Sequence, residues 1–144
     1  MLLTVSIFNL AATRKIWYMS NSDSLENYYE ANRRLWDKLA TVHVKSDFYD
    51  QGAFLGGKSS LKDIELNELG EVANKKMLHL QCHFGQDSIS WAKKGAKVVA
   101  VDFSEGAISI AKDINEKLKT SVDFICCNVY DLEQFVDEKF DIVF

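Results

Sequence analysis

After Gly70 the chain alternates short apolar runs with stretches of helical spacing, and this alternation constrains the fold more than any other feature. Met77–Cys82 reads as a first strand, Asp87–Lys94 as a helix closed by Gly95, and Ala96–Val101 as a second strand ended by Asp102. Ser104 then caps a helix expected to reach about Leu118, Val122–Cys127 is a third strand, and Phe140–Phe144 begins a fourth. Strands that are almost continuously apolar and separated by helices belong in a parallel sheet covered on both faces. The expected class is therefore α/β, a doubly wound parallel sheet whose fourth strand is where the chain stops, preceded by a helical cap.

Composition narrows the function classes. A length of 144 residues suits one globular domain, and 17 basic against 21 acidic side chains leave a net charge of -4. That balance offers no field to gather nucleic acid or anionic lipid. Proline is absent, which removes proline-rich linkers, and three cysteines, two of them adjacent, make a poor disulfide framework. The expectation is a cytoplasmic protein with neither a nucleic-acid nor a membrane partner; no pattern specifies an oligomeric state.

The N-terminal part is divided into an extension, residues 1–18, and a helical cap or lid region, residues 19–70. Met1–Ala12 is apolar but has no basic segment before it and is short of the about 20 residues that span a bilayer. Met19, followed by the polar run Ser20–Ser24, offers a second start site. From Leu25 the apolar residues Tyr28, Tyr29, Trp36, Leu39 and Ala40 follow helical spacing, with Asp23 and Glu26 as a capping box. Two readings stay open for this helix: a structural face with a polar seam, or a lid in which Tyr28, Trp36 and His43 face a ligand.

Gly52–Ser59 reads GAFLGGKS, a literal match to the phosphate-binding pattern G-x-x-x-x-G-K-[ST]. A working phosphate loop leaves a buried strand, whereas the residues before Gly52, HVKSDFYDQ, are too polar for one. The alternative is a glycine-rich surface loop ahead of the helix marked by Leu61, Ile64, Leu66 and Leu69 and ended by Gly70.

In doubly wound sheets a ligand lies at the carboxyl ends of the strands, beside the first strand-to-helix turn. Here that turn is Gln81-Cys82-His83-Phe84-Gly85-Gln86, and Gly85 is the position where main chain and ligand can come closest. Asp102 follows seventeen residues after Gly85, close to the separation of about 20 at which an acidic residue reaches ribose hydroxyls. The other reading of Asp102 is a cap on the helix that Ser104 begins.

The run MLHLQCHFGQDSISWAKKGAKVVAVDFSEGAISIAK resembles the N-terminal half of a class I S-adenosylmethionine-dependent methyltransferase. In that family a strand of the form VLDLGCGTG leads through a helix to a second strand ending in an acidic residue, then to a third ending at an acidic or amide position. The resemblance covers about residues 75–144 and implies a Rossmann-like, partial cofactor domain over residues 71–144. It places His79, Gln81, His83 and Gly85 in the first cofactor-binding motif. Asp102 stands at the ribose, Phe103 at the adenine, and Asn128, with Val129 beside it, near the adenine amino group. Asp141-Ile142-Val143-Phe144 resembles the start of the family's fourth strand.

Departures accompany the match: His79 stands where the family usually has an acidic residue, and Gln81 and His83 replace two of three glycines. The wording LHLQCHFG is similar to a branch of the family in which Asn32, Trp36, His43 and Phe48-Tyr49-Asp50 would also have counterparts. The resemblance implies S-adenosylmethionine as cofactor and methyl transfer to an unidentified acceptor, a small molecule given the acidic balance, by an incomplete chain. Alternatives are an inactive cofactor-binding fragment and a nucleotide-binding protein using Gly52–Ser59. A nicotinamide site is disfavoured because Gln81 and His83 would crowd a pyrophosphate. No catalytic residue is assigned, though His43 is the candidate base if it lies over the pocket. No metal site is read: strand alternation is expected to put Cys82 opposite His79. Cys126-Cys127 is expected to pack at a strand end.

Overall fold

The computed structural model describes residues 22–144, with side chains from Leu25 onward. The apolar start, the Met19 start site and the side chain of Asp23 proposed for a capping box lie outside the described residues. The chain divides into two units at Asn32, within helix α1 (Ser22–His43). In the first unit Tyr28 and Asn32 are exposed.

The second unit continues with two short helices, α2 (Gln51–Leu55) and α3 (Asp63–Leu69), and then the sheet: β1 (Lys76–Leu80), α4 (Gln86–Lys93), β2 (Lys97–Asp102), α5 (Glu105–Leu118), β3 (Asp123–Cys126), a 3-10 segment at Val129–Gln134, and β4 (Ile142–Val143). All strand pairs are parallel and the order is β3-β2-β1-β4. The chain winds from β1 outward to β3, then returns to pair β4 with the other side of β1. The fold is thus Rossmann-like, with its topological switch at β1, where a crevice opens at the carboxyl ends of the strands.

Strand alternation sorts the core into two layers. Met77, Val98, Ala100 and Phe124 pack with Ile89 and Trp91 of α4 and with Ile108, Ala111 and Ile114 of α5. Leu78, Val101 and Cys127 form the other layer, against Leu132 of the 3-10 segment and Phe140. Among the described residues, then, both helices after β1 cover one face, and the opposite face is covered by the 3-10 segment and by Phe140 beyond it. Burial of the first layer is the main stabilising term, since apolar area contributes about 25 cal/mol per Å² removed from water.

Three expectations are corrected here. β1 ends at Leu80 rather than Cys82, because Gln81 turns to φ +56° and breaks the extended run. For the same reason alternation fails beyond Leu80, and Cys82 joins Met77 in one cluster instead of lying opposite His79. Cys126 is exposed while Cys127 is buried, so only the second packs as expected at the strand end. Among the described residues no helix is long and apolar enough to cross a membrane.

Candidate functional site

The turn leaving β1 is the architectural centre of the site. Gln81 (φ +56°), His83 (φ +52°) and Gly85 (φ +76°) alternate in the left-handed region. For residues with a Cβ that conformation costs roughly 1–2 kcal/mol each, so this is a glycine-type turn carrying side chains at two of its three left-handed positions. Hydrogen bonds hold it: the Cys82 N–H donates to the Val101 carbonyl (2.9 Å), and the Gly85 N–H to the Cys82 carbonyl (2.9 Å). Gly85 has a further constraint, because a Cβ there would run into Cζ and Cε1 of Phe124 on β3. Its smallness therefore serves the core.

Asp102, at the end of β2, is tied to this turn. Its Oδ2 accepts from the His83 N–H (2.7 Å) and its Oδ1 from the Ser104 N–H (2.8 Å). The two readings of this carboxylate, cap and ligand acceptor, are compatible: each oxygen has a second lone pair beyond the bond it already accepts. Phe103 follows at the half-buried mouth of β2. At the end of β3, the Asn128 Oδ1 accepts from the Tyr130 N–H (3.1 Å), which assigns its NH2 as the group it can offer a base. Val129 packs against the second core layer beside it.

His79 is only 8% exposed, and its Nδ1 lies 2.8 Å from Ser88 Oγ on α4. Burial pushes its pKa down to about 4, outweighing the charges of Asp102 and Glu65, so the ring is neutral near pH 7. Burial likewise lowers His83 and raises the Cys82 thiol, which keeps that sulfur protonated.

The N-terminal region reaches the turn through aromatic rings. His43 Nδ1 lies 3.0 Å from His83 Nε2, one ring donating to the other. Trp36 meets both imidazoles edge-on, and Tyr49 stacks on His43 with centroids 5.4 Å apart. Trp36 and His43 thus act on the site through His83, which stands between them and a cavity of about 360 Å³ whose lining includes His83 but neither of them. The N-terminal aromatics that do line it are Phe48, Tyr49 and Phe54, with His79 and residues Gln81–Asp87 opposite.

Three contacts here had no local signal in the sequence. Gln86 Nε2 donates to the Tyr49 carbonyl (3.0 Å) and to Gln51 Oε1 (2.8 Å), fastening the segment before α2 to the turn. Ser88 holds His79. Asp37 of α1 accepts from Ser104 Oγ and from the Gly106 N–H at the start of α5.

The phosphate-loop reading of Gly52–Ser59 is overturned. Residues Gln51–Leu55 are helical and are preceded by turns, not by a strand. Lys58 pairs with Asp50 (3.3 Å), and Ser60, after the motif, bonds to Ser90 (3.0 Å). At Gly52–Ser59 no run of amides leads from a buried strand into a helix, which is the arrangement that cradles phosphate.

Residues 77–144 match the family model of a methyltransferase domain. A ubiquinone biosynthesis O-methyltransferase of Nitrobacter winogradskyi is 29% identical over 123 residues, which is 83% of this chain and 46% of that protein. A magnesium-protoporphyrin O-methyltransferase of Rhodobacter capsulatus is 28% identical over 110 residues, 74% of this chain and 49% of that protein. The chain spans about half the length of these curated relatives. Among solved structures, TehB from Haemophilus influenzae superimposes with a TM-score of 0.52 at 17% identity, over 60% of this chain and 29% of that one, a likeness of fold.

Proposed function

We propose that this chain, whose residues 77–144 belong to the class I S-adenosylmethionine-dependent methyltransferases, binds S-adenosylmethionine at the carboxyl ends of β1, β2 and β3 and serves methyl transfer to a small-molecule acceptor. The observation that carries the reading is Asp102. Its carboxylate is held by two main-chain amides at the junction of β1 and β2 and retains acceptor capacity on both oxygens, as a ribose diol requires.

The rest of the donor set fits the same group. Asn128 offers an amide and Phe103 and Val129 offer apolar surface for an adenine ring. His79, Gln81, His83 and Gly85 would border the remainder at the turn. The bound cofactor supplies an electrophilic methyl group on a sulfonium. The chain's own work is to fix geometry and exclude water: the doubly held Asp102 and the buried, Ser88-bonded His79 are both preorganised. His43 and His83 are joined ring to ring, and His83 borders the cavity.

The relatives named as O-methyltransferases support an acceptor that carries a hydroxyl or carboxyl oxygen, and the net charge of -4 favours a small molecule over nucleic acid. A cytoplasmic setting accords with the three unpaired thiols.

Calorimetric titration with S-adenosylhomocysteine, Mg-ATP and NAD tests the reading. Binding of S-adenosylhomocysteine alone, weakened roughly tenfold or more by Asp102→Ala, is the expected result. Binding of Mg-ATP or NAD in its place, or an Asp102→Ala variant that binds as well as the parent, would overturn it.

A further inference from the structure

The cavity of about 360 Å³ beside the turn extends away from Asp102, which is absent from its lining, toward the rim formed by Lys58, Ser59, Ser60 and Lys62 and by Glu65 of α3. A ligand whose nucleoside part lies along the ends of β2 and β3 would send its other end into this space. For S-adenosylmethionine that end is an α-amino acid, with an ammonium and a carboxylate. An ammonium entering a partly enclosed site needs a carboxylate or a set of good acceptors to replace its water.

Position 79 cannot supply that charge, since the buried imidazole is neutral and one nitrogen is engaged by Ser88. Three carboxylates do line the cavity: Asp50, Glu65 and Asp87. Asp50 is paired with Lys58 and caps α2 through the Ala53 N–H. Asp87 lies on the Tyr49 side, where burial first and then the charge of Asp87 raise the phenol. Glu65 is the one whose field reaches the His79 ring, and its Oε2 accepts from the Lys62 N–H, which fixes the carboxylate on the rim.

Resting on the cofactor reading above, we propose that Glu65, outside the β1 turn and twelve residues before Met77, is the carboxylate that receives the ammonium of the cofactor's amino-acid end, across the cavity from His79. Lys62, on the same rim, offers the opposite charge that a zwitterion's carboxylate requires. In this arrangement α3 takes part in cofactor recognition, and the neutral imidazole at position 79 adds an acceptor to a charge held elsewhere.

The test is calorimetric and uses two probes on the whole chain. S-adenosylhomocysteine carries the amino-acid end, and 5′-methylthioadenosine lacks it. Glu65→Gln keeps an oxygen for the Lys62 N–H, so α3 stays capped. It is expected to weaken S-adenosylhomocysteine roughly tenfold and leave 5′-methylthioadenosine unchanged, while Glu68→Gln on the same helix alters neither. Equal losses for both probes, no loss for either, or a selective loss from Asp87→Asn in place of Glu65→Gln would overturn the assignment while the cofactor reading stands. If neither probe binds the parent chain, the cofactor reading fails and the assignment falls with it.

Discussion

The side chains of Asp37 and Ser104 are 67 residues apart in sequence and 2.6 Å apart in space, the Ser104 hydroxyl donating to Asp37 Oδ1. The same oxygen accepts from the Gly106 N–H (3.0 Å), and Ser104 Oγ accepts from the Ala107 N–H (3.0 Å). The first turn of α5 therefore has two caps, one local and one delivered by α1, and a carboxylate there also complements the positive end of the helix. Asp37→Ala is expected to lower unfolding stability by about 1–2 kcal/mol. It should also speed amide exchange in residues 33–43. Asp37→Asn, which keeps an acceptor, should lose less. Urea titration with hydrogen-exchange mass spectrometry checks both, and unchanged exchange in 33–43 would show that the cap does not hold the helix.

Gly85 and Phe124 give a second expectation. An alanine at 85 meets the Phe124 ring and must also adopt φ +76°. The left-handed backbone contributes roughly 1–2 kcal/mol of cost and overpacking about 1–3 kcal/mol. Gly85→Ala should therefore destabilise by about 2–5 kcal/mol in denaturant unfolding. Combined with Phe124→Leu the two losses should be less than additive, because the ring that clashes has gone. Strict additivity would mean that the backbone alone sets the cost.

His79 makes stability depend on pH in a stated direction. Its folded pKa of about 4 lies below the ordinary 6.5, so between these values the unfolded chain binds a proton that the folded chain excludes. The stability it provides is full above pH 6.5 and is lost as pH falls toward about 4, where the loss levels off. The gap corresponds to roughly 3 kcal/mol. His79→Gln should flatten that limb of the stability curve, measured by thermal or urea unfolding from pH 7 to 4. A curve as steep as the parent's would place the titrating group elsewhere.

Much of the fold could be read from local pattern. Ser104 as a cap, Gly70 after α3 and Asp102 at the end of β2 all stand where periodicity and end signals place them. These features depend on neighbours within a turn or a strand, which is the range that periodicity reports. The end of β1 was less legible: no local pattern marks Gln81 and His83 for positive φ, and they are held there by a bond within the turn together with bonds from β2 and α1. Trp36 and His43 were legible as residues near the site but not in their relation to it, since the ring of His83 comes between them and the cavity.

The sequence by itself determined the class of structure and the chemistry available at its strand ends. Alternating apolar runs and helical stretches admit few arrangements other than a parallel sheet, and a carboxylate at the end of the second strand follows from register alone. The tertiary structure decided the rest. It turned GAFLGGKS into a short helix and a paired lysine, packed Phe124 where a side chain at position 85 would lie, and brought Asp37 to the start of α5, Glu65 to the rim of the cavity and Tyr49 to Gln86. Contacts of that kind close long loops, and their partners are chosen by packing and hydrogen-bond satisfaction in three dimensions, which no local pattern of residues encodes.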